Sequence, residues 1–225
     1  MNGTLRIGVV DSGHAPAQAS FVHAARRFWL EDELLCEGPL APDSLGHGAA
    51  VVDRLLQPAV PVTLCLAQVF GARGQTSALQ VAAAIYWLVE QQVSLINLSL
   101  GLRQDRSSLR LACAAAAEAG ILLCASSPAR GEPVFPASYP QVVRVTGDAR
   151  CSLGQWSWLD SAQADFGAAP HALNGTAGAS LACAALSGQV TAFLHEHPGA
   201  GREAVLEHLR RNASFIGPER LGRKA

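Results

Sequence analysis

The chain has 225 residues, 49% of them apolar and 16% charged, with a formal net charge of -1. That length holds one well-buried domain and is short for two, so residues 1–225 are read as a single globular domain. The charge balance, with no basic stripe beyond the terminal "RLGRKA", argues against nucleic acid as a partner, and the lack of a long apolar run argues against a membrane span.

In chain order, "LRIGVV" is a β-branched run ending at Asp11-Ser12-Gly13, which predicts a strand and then a turn. "HGAAVVDRLLQ" places Val51, Val52, Leu55 and Leu56 at helical spacing. A buried strand "VTLCLAQVF" follows, and then the helix "TSALQVAAAIYWLVEQQ", with Thr76 or Ser77 as its N-cap. "VSLINLSLG" predicts a strand and "SSLRLACAAAAEAG" a helix closed by Gly120. "ILLCAS" and "QVVRVTG" are further strands, and "LACAALSGQVTAFLHEH" and "REAVLEHLRRNA" are two closing helices. Strand–helix repetition of this kind predicts an α/β fold with three layers, a mostly parallel sheet between helices on both faces. In such sheets chemistry collects beyond the carboxyl ends of the strands, where Asp11 and Ser99-Leu100-Gly101 both fall.

Most of the six cysteines sit inside apolar runs, where cysteine behaves as a small core residue. None falls in a CxxC spacing, and no acidic loop suggests a calcium site, so neither metal nor cofactor is expected. His195 and His197, two residues apart, do not share a helical face and make a poor metal pair. The start, "MNGTLRIGVVDSG", lacks the basic and apolar regions of a signal peptide. A reducing cytoplasm is therefore the expected compartment.

A serine hydroxyl becomes a useful nucleophile only when a base takes its proton, and an imidazole suits that task. The imidazole in turn needs a carboxylate to fix its tautomer. Asp11, His47 and Ser180 supply these parts in the order Asp, His, Ser. Taken singly, each has a plainer role: a turn former, a helix start and an N-cap.

Together they are similar to the subtilisin family of serine peptidases, whose triad has that order. "IGVVDSG" resembles the family's strand ending in the catalytic aspartate, and "GHGAAVV" its His-Gly-Thr helix start, with Ala49 in place of Thr. "INLSLG" resembles the Ser-Leu-Gly strand that pairs with substrate, and "GILLCASSPARG" with "FPASYPQVVRVTG" resembles the next strand and loop. "GASLACAALSG" resembles the nucleophile helix Gly-Thr-Ser-Met-Ala-x-Pro-x-Val-Ala-Gly. Placing "GTA" on that motif would make Ala177 the nucleophile; placing "GAS" there makes it Ser180 and also brings Ala182 and Gly188 into register.

The resemblance implies a subtilisin-like fold with Ser180 as nucleophile, His47 as general base and Asp11 as its orienter. It further implies Ser99, Leu100 and Gly101 as the substrate-pairing strand and Ala125, Ser126 and Ser127 as the wall of the side-chain pocket. The oxyanion hole would use the Ser180 backbone N–H. Its usual asparagine donor is replaced by Ala129, with Ser127 and Asn174 as the alternatives. Ala184 stands where the family has proline. The family's long pro-segment would not fit before Asp11.

A weakened catalyst without that restraint points to narrow specificity. It resembles most the small processing peptidases that remove the leader from the cross-linked subunit of quinohemoprotein amine dehydrogenase. The implied partner is a peptide or protein precursor, alone or presented by a maturation factor. A pseudoprotease that binds a peptide without cutting it is the second reading, favoured by Ala49, Ala129 and Ala184. An α/β-hydrolase is a distant third, because its elbow needs Gly-x-Ser-x-Gly and Ser180 is followed two residues on by Ala182.

Overall fold

The computed structural model describes residues 4–171 and 177–219. Among them are ten strands: β1 (Leu5–Asp11), β2 (Val22–Glu31), β3 (Leu34–Gly38), β4 (Val62–Gln68), β5 (Leu95–Leu98), β6 (Leu122–Ser126), β7 (Val142–Gly147), β8 (Trp156–Trp158), β9 (Phe166–Ala168) and β10 (Phe215–Ile216). Five α-helices accompany them: α1 (His47–Leu55), α2 (Ala78–Glu90), α3 (Ser107–Glu118), α4 (Ala179–Glu196) and α5 (Arg202–Arg211). All five strands and all five helices expected from periodicity are present.

The strands form one sheet in the order β10-β8-β9-β7-β6-β5-β1-β4-β2-β3. From β7 through β2 every pairing is parallel. Alternation along β1 assigns the two faces. Ile7 and Val9 belong to a cluster with Val51, Val52 and Leu55 of α1, Leu181 of α4 and Val205 of α5. Val10 points the other way, to a cluster holding Val81 and Ile85 of α2 and Leu109 of α3. Each such aliphatic side chain contributes about 1.5–3 kcal/mol when fully buried, so the two clusters clamp the sheet from both sides. Five of the six cysteines are buried and all six are free; burial alone pushes the Cys113 thiol up to about 12.

Two groups of strands were not expected from the sequence. β2 and β3 form an antiparallel hairpin at one sheet edge, turning through Asp32 and Glu33 at positive φ of 49° and 65°. A two-residue turn of that hand usually signals itself with Asn-Gly or Asp-Gly, and Asp-Glu does not. β8, β9 and β10 are only two or three residues long, too short for a period to show.

Helix α4 lies across α1, and Gly188 is the point of contact. A Cβ there would come within 2.6 Å of the Leu55 carbonyl oxygen and 3.2 Å of Pro58 Cδ. Gly188→Ala is therefore expected to destabilise the fold. Overpacking costs about 1–3 kcal/mol and outweighs the gain of about 1 kcal/mol in helix propensity. A urea midpoint equal to or above that of the wild type would contradict this packing.

Candidate active site

The chain passes from β1 to β2 and back to β4 on one side of β1, then crosses to β5 on the other. Open α/β sheets place their ligand sites at such a reversal, here beyond the carboxyl ends of β1 and β5. Asp11 is the last residue of β1, opposite Gln68 of β4, while Val10 is opposite Leu98 of β5. Held by the β4 ladder at its own position and by the β5 ladder one residue earlier, its side chain is only 1% exposed. Asp11 Oδ1 accepts from the Ser12 N–H at 2.7 Å and from His47 Nδ1 at 2.7 Å. Its Oδ2 is buried with no hydrogen-bond partner among the described residues. An imidazolium on His47 is thus the charge best placed to offset this carboxylate's burial.

His47 opens α1. The helix reaches the end of β1 because residue 48 is glycine: a Cβ there would lie 2.3 Å from the Gly13 oxygen. With its Nδ1–H donated to Asp11, the ring presents Nε2 as its free basic nitrogen. The hydrogen bond that His47 donates to Asp11 raises the His47 pKa above 6.5; burial opposes it, and the charges of Asp11 and Asp43 add to the rise.

Ser180 is the second residue of α4, whose N-cap, Gly178, offers no side chain to the first-turn amides. Ala177 lies outside the helix, in a backbone bridge with His171. The Ser180 hydroxyl donates to the Ser99 carbonyl at 3.1 Å, and the Ser99 hydroxyl donates back to the Ser180 carbonyl at 3.0 Å. No hydrogen bond joins Ser180 to His47 in this arrangement. The structure therefore brings Asp11 and His47 into direct contact, and it places Ser180 at the end of β5 with its hydroxyl turned to Ser99.

A buried relay continues behind Ser99. Asn97 Nδ2 donates to Ser99 Oγ at 2.9 Å, and the Ser187 hydroxyl donates to Asn97 Oδ1 at 3.0 Å. Asn97 and Ser187 are both fully buried, so the chain of donors has one satisfied direction and ties β5 to α4.

Among the proposed substrate-pairing residues, Leu100 O accepts from the Ser126 hydroxyl at 3.3 Å. Leu102 exchanges both backbone bonds with Phe135, at 2.7 and 2.8 Å. The backbone of Gly101, exposed between them, has no partner among the described residues. Hollows flank this segment: one of about 380 Å³ lined by Phe70, Leu100 and Leu102, and another of about 680 Å³ lined by Arg103, Arg130 and Val134. Ala125, Ser126 and Ser127 are all buried.

Ser127 is not a free oxyanion donor, because its hydroxyl donates to the Gln163 carbonyl at 2.6 Å. Ala129 is exposed and brings no side-chain donor. Asn174 lies outside the described residues. Sequence reading passed over four polar residues of this region: Asp43, Asn97 and Ser187 entirely, and Ser12 except as a turn former. Asp43, four residues before His47, carried the one usable signal, an acidic side chain just ahead of a helix start.

No family model matches the chain. Over 134 residues it is 34% identical to the subtilisin-like protease het-Q2 of Podospora anserina, covering 56% of this chain and 35% of that one. Over 151 residues it is 30% identical to a thermostable alkaline protease of Halalkalibacterium halodurans, covering 62% of this chain and 40% of that one. The chain thus spans well under half the length of either relative.

Among solved structures, a psychrophilic protease superposes with a TM-score of 0.72 at 20% identity, covering 92% of this chain and 82% of that chain. A lanthipeptide protease superposes with a TM-score of 0.73 at 17% identity, covering 95% of this chain and 81% of that chain. The fold is subtilisin-like, a three-layer α/β architecture with a mostly parallel sheet.

Proposed function

We propose that this chain is a serine endopeptidase of the subtilisin type with narrow specificity, acting on a peptide or protein precursor. The observation that carries the proposal is the 2.7 Å bond between buried Asp11 and His47 at the sheet's switch point, with Ser180 on the first turn of α4, bonded to Ser99 at the end of β5. Substrate main chain adds along Ser99–Gly101, where Gly101 has free backbone groups, and its N–H takes over the Ser99 carbonyl from the Ser180 hydroxyl. The released hydroxyl gives its proton to His47 Nε2 as Ser180 Oγ attacks the scissile carbonyl. His47 then protonates the departing amine, and water, deprotonated by His47, hydrolyses the acyl-enzyme. The Ser180 N–H, at an uncapped helix start, faces the developing oxyanion.

Removal of a leader from the cross-linked small subunit of quinohemoprotein amine dehydrogenase is the substrate reading that the chain's degenerate motifs, Ala49, Ala129 and Ala184 among them, favour. The superposition on a protease named for lanthipeptides supports precursor peptides as the substrate class. A fluorophosphonate probe tests the chemistry: the adduct is expected on the peptide carrying Ser180. No adduct there, with or without precursor, would instead favour a peptide-binding pseudoprotease, the reading to which the hydroxyl turned toward Ser99 points.

The base must be neutral to act, so kcat/KM is expected to fall on the acid side with a midpoint above the ordinary imidazole value of 6.5. Stability runs the other way. The protonated pair stabilises the fold fully below the unfolded value, and that contribution is lost as pH rises through the folded value. An acid limb centred below 6.5 would show that the Asp11 bond is not made in solution.

A further inference from the structure

His47 is the first residue of α1, so the first turn of that helix decides where the imidazole sits. The N-cap, Gly46, is left-handed at φ 67° and has no side chain to cap with. Two of the first-turn donors are nonetheless satisfied from elsewhere in the chain. Gly48 N–H donates to Ser12 Oγ at 2.8 Å, and Ala49 N–H donates to Asp43 Oδ2 at 3.0 Å. Asp43 Oδ1 accepts from the N–H groups of Leu45 and Gly46 at 3.2 and 2.9 Å, and from the Ser12 hydroxyl at 2.8 Å. The Ser12 N–H in turn donates to Asp11 Oδ1 at 2.7 Å. Two carboxylates joined through one serine therefore bracket His47: Asp11 holds the ring, and Asp43 holds the backbone that carries it.

We infer that Asp43 is a positioning residue for His47, acting with Ser12 as the link that fixes the helix start against the end of β1 and so sets the Asp11–His47 bond. This rests on the reading of His47 as the base. A carboxylate fits the place better than an amide. All five donors converge on its two oxygens or on Ser12, and an amide at position 43 would turn its NH₂ toward either the Ala49 N–H or the donors at Oδ1. Negative charge at a helix N-terminus is favourable in its own right.

The charged groups acting on His47 are Asp11 at the end of β1 and Asp43 in the loop before α1, both raising its pKa. The turn after β1 brings His14, whose Nδ1 is bonded to the Ala15 carbonyl at 2.8 Å. The start of α4, Ala179 through Ala182, carries no charge.

The test is an NMR titration of the full chain labelled with ¹⁵N-histidine, with Asp11→Asn marking the His47 signals. Asp43→Asn is expected to lower the His47 midpoint and to weaken the downfield Nδ1–H resonance that reports the bond to Asp11. Ser12→Ala, which keeps both carboxylates, is expected to weaken that resonance with a smaller change in midpoint. In the active enzyme Asp43→Asn is expected to lose about tenfold or more in kcat with little change in KM. A helix cap without a positioning role would lower the melting temperature and leave the imidazole signals alone. A folded Asp43→Asn with wild-type midpoint and resonance overturns the inference; if that variant does not fold, an unaltered resonance in Ser12→Ala overturns it. The titration needs no substrate. A chain that hydrolyses nothing yet shows these shifts keeps the positioning role and loses the peptidase reading; an active chain with an unmoved His47 does the reverse.

Discussion

Replacing Ser180 with Ala is expected to lower turnover of a cleaved precursor by about three to four orders of magnitude. In subtilisin, removing the triad serine costs about 10⁶, and the same enzyme loses about 10²–10³ when its oxyanion asparagine is removed. Among the described residues that donor is missing: Ala129 has none to offer, and Ser127 is committed to Gln163. The chain's wild-type rate therefore begins closer to the floor, and the drop to that floor is shorter. The variant loses the bond from the Ser180 hydroxyl to the Ser99 carbonyl, worth about 0.5–1.5 kcal/mol, but keeps the bond from Ser99 Oγ to the Ser180 carbonyl, so it should still fold. What is lost is then chemistry. Progress curves with the precursor, followed by mass, check it. Retention of more than about a hundredth of wild-type turnover would mean that the nucleophile is another residue; a loss near 10⁶ would mean that a second oxyanion donor is at work.

How much of this was legible in the sequence follows from where each residue stands. Core strands such as "LRIGVV" and "VTLCLAQVF" announce themselves because both faces are buried and the runs are continuously apolar. The sequence offered Thr76 or Ser77 as the cap of α2, and the structure selects Ser77, with Gln80 completing a capping box. Gly188 decided between Ala177 and Ser180 by register, and the structure gives the reason: the Leu55 carbonyl leaves no room for a Cβ.

The edge hairpin was hidden for the opposite cause. Only Phe28 of β2 is fully buried, so the strand has little apolar pattern to read. Asp43 and Asn97 were hidden because their roles depend on partners 31 and 90 residues away in the chain, and no local period records such a pairing. Sequence also could not show that the Ser180 hydroxyl rests on the Ser99 carbonyl, since a side-chain rotamer leaves no trace in residue order.

Replacing Asp11 with Asn should cost nearly as much as removing the nucleophile, about 10³ or more in kcat, though the fold survives. Aspartate-to-asparagine changes in serine protease triads keep the geometry and lose about 10⁴; here the low starting rate again shortens the fall. The local bonds explain why. Ser12 N–H and His47 Nδ1–H both donate to Oδ1, so the amide oxygen settles there and the amide NH₂ takes the place of Oδ2, buried without a partner. Geometry is kept, but the charge that favours an imidazolium is gone. The largest cause raising the His47 pKa weakens with it, while burial still pushes downward. The acid limb of kcat/KM should consequently move to lower pH even as the plateau drops. Stability follows the same sign: wild type gains from the protonated pair below about pH 6.5, and the variant does not. Urea midpoints at pH 5.5 and 8.5, compared between the two proteins, should differ more at the acid value. A variant that keeps the wild-type acid limb would show that Asp11 does not govern His47, and the case for a triad would fall with it.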